Sequence, residues 1–185
     1  MRVTGGVFKG KNLKEIRSSG NLSLRPTSAR VKESIFDILK HKFHANLKEI
    51  RVLDLFSGSG SLGYEALSRG AKSVTFVEND QYACKLIMEN AKILGVEAKI
   101  SLKNESCFKI GKNQEDPFEI IFMDPPYGKG LGEKAFKNIL SGKWAMKNSL
   151  IVWEESAEVS NIDNGKILET RKYGETVLSF VEVMI

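Results

Sequence analysis

Apolar residues along this chain follow two rhythms, one helical and one strand-like, and the two alternate. Ile35, Phe36, Ile38 and Leu39 recur at helical spacing after Leu24-Arg25-Pro26-Thr27, with Thr27 or Ser28 placed to cap the helix. From residue 51 onward, short apolar runs predict strands over residues 51–56, 73–78, 98–102, 118–123 and 149–154. Helical runs over 61–68, 81–94 and 131–140 lie between them, with Gly70 and Gly95 as stops, and Cys107 is read as the start of a further helix. Residues 2–13 read as a short strand pair punctuated by glycine, residues 16–23 as a polar loop, and 166–171 with 177–183 as a closing hairpin. Strands alternating with helices predict an α/β fold around a mostly parallel seven-stranded sheet, made mixed by that antiparallel hairpin.

Composition narrows the class. The chain has 185 residues, 42% of them hydrophobic, enough to bury one core of ordinary size. No run approaches the roughly 20 apolar residues of a membrane span, and the first residues lack the apolar centre of a secretory signal. Cys84 and Cys107 suit neither a disulfide framework nor a metal site, and His41 and His44 lack ligand partners at metal spacing, so no metal is expected. A reduced, cytoplasmic, monomeric protein is the expectation. Charge divides the chain further: between Met1 and Ala45 ten Lys and Arg face three acids, a net +7, whereas the remainder carries −2. Residues 1–45 therefore read as a basic extension, hairpin plus helix, able to meet a polyanion, and residues 46–185 as the α/β domain.

Two motifs carry chemistry. Gly58-Ser59-Gly60-Ser61-Leu62-Gly63 follows the first strand and opens a helix, and Glu78 ends the next strand, where an acid can accept from ribose hydroxyls. Asp54 decides between ligands. An acid just upstream of the turn is unfavourable beside the pyrophosphate of NAD, but suits the sulfonium and amino groups of S-adenosylmethionine. The second motif, Asp124-Pro125-Pro126-Tyr127, ends an apolar strand in a rigid extended turn. The Asp124 carboxylate and Pro125 carbonyl then project as acceptors for the two hydrogens of an exocyclic amine, with the Tyr127 ring beside them to stack on a planar base. Gly5 to Asn12 nearly fits a phosphate-binding loop, but Asn12 stands where a magnesium-binding hydroxyl is required.

Asp54-Leu55-Phe56-Ser57-Gly58-Ser59-Gly60 resembles the first motif of the class I, Rossmann-like methyltransferases dependent on S-adenosylmethionine. That resemblance implies a donor site of Asp54, Phe56, Gly58, Ser59, Gly60, Glu78 and Asn79, with Asn104 and Glu105 beside the adenine. It implies Asp124, Pro125 and Tyr127 as the catalytic set for adenine N6, guanine N2 or glutamine nitrogen. The N-terminal block of Arg2-Val3-Thr4-Gly5-Gly6, Lys9-Gly10-Lys11, Leu24 to Thr27 and Arg30-Val31-Lys32-Glu33 extends the resemblance over nearly the whole chain. In it the chain resembles the bacterial RsmD family of 16S rRNA guanine-N2 methyltransferases, with Lys9, Lys11 and Lys32 where Arg is usual and Ser57 where Ala is usual. The resemblance implies methylation of guanine 966 on an assembled or nearly assembled small subunit. Arg25, Thr27, Arg30, Lys32, Lys9 and Lys11 are then the expected RNA contacts. An adenine-N6 methyltransferase and a non-catalytic rRNA-binding assembly factor are the alternatives.

Overall fold

Strand β1 (Arg51–Leu55) is an interior strand of the sheet, as its four buried residues of five, packed between both faces, require. The computed structural model describes residues 1–16, 28–127, 130–160 and 162–185. Within them β2 (Ser73–Glu78), β3 (Ile100–Asn104), β4 (Phe118–Met123), β5 (Ala145–Glu155), β6 (Gly165–Tyr173) and β7 (Thr176–Val183) complete a seven-stranded sheet in the order β3-β2-β1-β4-β5-β7-β6. The first five strands pair in parallel; β7 runs antiparallel to both β5 and β6. This is the mixed sheet with a terminal hairpin that the apolar rhythm predicts.

Helices α1 (Ala29–His41), α2 (Ser61–Ser68) and α3 (Gln81–Leu94) cover one face, where Phe36, Tyr64, Phe76, Ile87, Phe122 and Phe180 form the core. Helix α4 (Leu131–Ser141) covers the other, packing Phe136 against Trp153 at 6.1 Å between ring centroids. Ser28 caps α1, accepting from Val31 N–H at 3.2 Å; Asp80 caps α3, accepting from Ala83 N–H at 2.7 Å, and Gly95 closes it at φ 68.

Three boundaries move from expectation. Residues 97–99 form a 3₁₀ turn, so β3 begins at Ile100 and reaches Asn104. Strand β5 begins at Ala145, with a register shift and a left-handed Asn148 (φ 67) ahead of its regular part. Residues 107–109 turn without forming a helix. Trp144 stacks on Phe118 at 6.0 Å and donates to the Gly111 carbonyl at 3.0 Å, holding the loop between β3 and β4.

The N-terminal segment shares the main core. Val3 and Leu13 are buried with Val31, Ile35 and Leu39 in the cluster that also holds Val52 and Ile120. An antiparallel bridge joins Arg2 to Asn12. Glu65 on α2, 1% exposed, accepts from Thr4 N–H and from Gly5 N–H at 2.8 Å, and pairs with Arg69 at 3.1 Å. Gly6 (φ 77) lies so close to the Ser68 carbonyl that no side chain fits there.

Gly63, inside α2, shows what seats that helix on the sheet: a methyl group there would overlap the Phe76 ring and stand 2.8 Å from Val74 Cγ1. Gly63→Ala is expected to lower unfolding stability by about 1–3 kcal/mol, the usual cost of overpacking. The urea midpoint measures it, and an unchanged midpoint would contradict this account of the packing.

Candidate active site

Asp54 is the one buried polar residue of β1, on the face that carries α2, and is 3% exposed. Its Oδ2 accepts from Gly63 N–H at 2.9 Å, supplying the cap that the N-cap residue Gly60 (φ 83) lacks a side chain to give. Burial, outweighing that hydrogen bond and assisted by the negative Glu78, pushes the Asp54 carboxyl up from the usual 3.8 to about 8. The folded chain thus holds a proton here where the unfolded chain has lost it. Its contribution to stability is largest below pH 4 and declines as pH rises through the window up to about 8. Asp54→Asn is expected to remove a slope of about 1 kcal/mol per pH unit from unfolding stability between pH values of about 5 and 7.5. Equal slopes in wild type and variant would contradict it.

Around Asp54 the turn is tied to β2. The Ser57 hydroxyl donates to the Asp54 carbonyl and accepts from Val77 N–H at 3.0 Å. Glu78 Oε2 accepts from Gly58 N–H at 2.7 Å, while Oε1 accepts from Asn79 and Asp80 N–H at 2.8 and 2.9 Å. Gly58 (φ 54) and Gly60 (φ 83) have the left-handed backbone that glycine adopts without strain. Phe56, itself at φ 57, packs edge-on against Phe108. Asn104 pairs in register with Glu78, and Asn104 and Asn79 are exposed, with Glu105 half-buried. All the expected donor residues therefore gather at the carboxyl ends of β1, β2 and β3, where ligands of open α/β sheets bind. They fit S-adenosylmethionine: the buried Asp54 carboxyl is a group that a neighbouring cation would ionise and pair with, and an acid stands at the end of β2 for ribose.

The second half of the site stands at the ends of β4 and β5. Burial, then the charges of Glu154, Asp54 and Glu155, hold the Asp124 carboxyl well above the usual carboxylate range. Pro125 is buried and Tyr127 exposed. Tyr127 donates its hydroxyl hydrogen to Glu154 Oε1 at 2.9 Å and lies 3.4 Å from the Thr176 hydroxyl at the start of β7. Burial raises the Tyr127 phenol above its ordinary range, so it stays a donor. Glu154 and Thr176 join the site beyond the catalytic set that the motif predicts. Glu154 follows Trp153 at the end of a predicted strand, but only the placement of β5 beside β4 shows its relevance, and Thr176 gives no sequence signal.

Of the expected RNA contacts, Arg25 and Thr27 lie outside the described residues. Lys9 and Lys11 are exposed near the turn of the N-terminal segment. Arg30 is exposed in the first turn of α1, lining a groove of about 430 Å³ with Lys42 and Arg171. Tyr173 shares a hydrogen bond with Ser34 and pairs in register with Thr176, so the start of α1 stands at the edge that carries Tyr127. Lys32 corrects the expectation. It is 2% exposed, donates to the Arg2 carbonyl at 3.0 Å, and burial lowers its pKa, so its charge is spent inside the fold. The helical rhythm already places it beside Val31, on the buried face with Ile35 and Leu39.

His41 and His44 are exposed, and no group of acids, histidines and cysteines among the described residues is arranged to hold a metal. Both cysteines are free and buried, and burial pushes the Cys107 thiol up to about 12. No helix among the described residues is long and apolar enough to cross a membrane.

Sheet order, glycine turn and the Asp124 end of β4 together define a class I, Rossmann-like methyltransferase fold. Similar solved structures agree. A putative methyltransferase yhhF from Escherichia coli superposes with a TM-score of 0.84 at 27% identity, over 99% of this chain and 97% of that one. An RNA methyltransferase from Salinibacter ruber, solved in complex with S-adenosyl-L-homocysteine, shares the fold at a TM-score of 0.65 and 16% identity, over 86% and 94%. Residues 1–182 match the family model described as Conserved hypothetical protein 95. The chain belongs to that family, the RsmD family. Its relatives include Ribosomal RNA small subunit methyltransferase D of Haemophilus influenzae, 35% identical over 94% of this chain and 89% of that protein. The Escherichia coli protein of the same name is 33% identical over 85% and 76%.

Proposed function

We propose that the protein transfers a methyl group from S-adenosylmethionine to the exocyclic N2 amine of guanine 966 in 16S rRNA, on an assembled or nearly assembled small subunit. The observation that carries the chemistry is Asp124, set on a proline-fixed turn at the end of β4, the strand that pairs in parallel with the Asp54 strand β1. Membership of the RsmD family, with relatives named for the small-subunit rRNA, supports the substrate. S-adenosylmethionine supplies a methyl group already activated on a sulfonium; Asp54, Phe56, Gly58, Ser59, Gly60, Glu78, Asn79, Asn104 and Glu105 would hold it.

Positioning is then the chain's main task. The amine of guanine is a weak nucleophile because its lone pair is delocalised into the ring. The Asp124 carboxylate and the Pro125 carbonyl accept its two hydrogens and orient that lone pair. Tyr127, its hydroxyl tied to Glu154, presents its ring to a base taken out of the RNA stack. Arg25, Thr27, Arg30, Lys9 and Lys11 supply RNA contacts, and Lys32 acts through the packing of Arg2. This reading places the protein as a monomer in the bacterial cytoplasm.

Incubation with labelled donor and small subunits lacking the modification, followed by mass spectrometry of the rRNA, tests it. N2-methylguanosine at position 966 is expected. Label on adenine N6, or subunit binding without label, would overturn the reading in favour of an adenine methyltransferase or an assembly factor.

A further inference from the structure

Asn90 is a fully buried amide on α3 whose hydrogen bonds all leave its own helix. Its Oδ1 accepts from Lys14 N–H at 2.7 Å, and its Nδ2 donates to the Lys14 carbonyl at 3.0 Å. One side chain thus pairs both backbone groups of one residue, as a neighbouring strand would. The same Nδ2 also donates to the Ser59 carbonyl at 3.1 Å, in the glycine turn after β1. The amide makes three of its four possible bonds in this way: both hydrogens donate and the oxygen accepts once.

Two further contacts bring the N-terminal segment to that turn. Ile16 Cδ1 lies 3.9 Å from where a side chain on Gly58 would begin, and the Ser59 hydroxyl meets Met1 Sδ at 3.9 Å. The segment's other anchor, Thr4 and Gly5 on Glu65, attaches to α2, the helix that the turn opens. Among the fastenings of the basic segment, these two end on the elements that form the donor site.

We infer that Asn90 is a positioning residue that couples the order of residues 1–16 to occupancy of the glycine turn. This rests on the reading of that turn as the S-adenosylmethionine site. A planar amide cannot follow a displaced Ser59 carbonyl while keeping both bonds to Lys14, and a buried amide that loses a partner is costly. Filling the turn holds Ser59 in place and thereby holds Lys14. By linkage, RNA that grips Lys9 and Lys11 strengthens donor binding by the same factor. A plain structural staple would hold Lys14 equally with the turn empty or full, and this is where the two accounts part.

Hydrogen exchange with and without S-adenosylhomocysteine, its binding followed by calorimetry, is the test. In wild type, saturating S-adenosylhomocysteine is expected to slow exchange of the amides of residues 3–14 by about ten-fold, within the usual range of coupling between sites. Exchange in the edge strand β6 should not change. In Asn90→Ala the nucleoside should still bind, with the slowing of residues 3–14 abolished. Should that variant fail to fold, Lys14→Pro removes the N–H that Asn90 accepts from, outside the core, and the same loss is expected. Binding without slowing in wild type, equal slowing in β6, or slowing retained in the variants overturns the coupling alone. Absence of S-adenosylhomocysteine binding to wild type overturns the donor site as well.

Discussion

Asp124→Ala is expected to lower single-turnover methyl transfer by about 10²–10³-fold, the range seen when one group acting on the reacting atoms is removed. Affinity for S-adenosylhomocysteine should stay within a few-fold, because the glycine turn, Glu78 and the Asp54 carboxyl that accepts from Gly63 N–H are all left in place. Calorimetry and quench experiments on the same preparation separate the two effects; wild-type turnover in the variant would remove Asp124 from the chemistry. A pH dependence accompanies it. Burial and the neighbouring Glu154 charge hold the Asp124 carboxyl above its usual range, and the ionised form accepts an N–H more strongly than the protonated one. Turnover should therefore rise with pH as that proton leaves. Glu154→Gln removes the neighbouring negative charge and should move the rising limb to lower pH; a limb that stays in place would assign it to another group.

Glu65→Ala is expected to lower unfolding stability by about 3–5 kcal/mol, the range for breaking a buried ion pair by removing one partner. The loss leaves Thr4 N–H, Gly5 N–H and Arg69 without the carboxylate on which they converge. The guanidinium of Arg69, 4.8 Å from the centre of the Phe36 ring, would become an unpaired charge at the edge of the core. Release of the N-terminal segment should expose Lys9, Lys11 and Lys14 to trypsin well below the temperature of global unfolding. A midpoint within 1 kcal/mol of wild type, expected of an ordinary surface substitution, would show that the buried apolar residues hold the segment without Glu65.

The family also shapes what these measurements mean. The basic N-terminal segment is part of the same core as the methyltransferase sheet, through Val3, Leu13, Ile35 and Leu39. On the coupling and RNA contacts proposed above, a variant that loosens it is expected to act on the donor turn as well as on RNA affinity. Salt dependence of subunit binding separates the roles, since phosphate contacts weaken steeply with ionic strength whereas buried backbone bonds do not.

By itself the sequence determined the succession of the main strands and helices, though not the turns at 97–99 and 107–109, which depend on the packed loop. The alternation of apolar runs marks the strands, and glycines with positive φ mark the turn after β1. Asp54, Glu78 and Asp124 are legible because each sits at or near the end of a short, nearly continuous apolar run that a turn follows. The tertiary structure decided which distant residues share a task. Thr4 with Glu65, Lys14 with Asn90, and Tyr127 with Glu154 are separated by 61, 76 and 27 residues. Their meeting depends on the order of strands and on which face each helix takes. Lys32 shows the same limit from the other side: its charge counts toward the basic segment, yet burial against the Arg2 carbonyl removes it from the surface. Periodicity is local, whereas burial and electrostatics depend on everything within a few ångströms, and only the packed chain sets that.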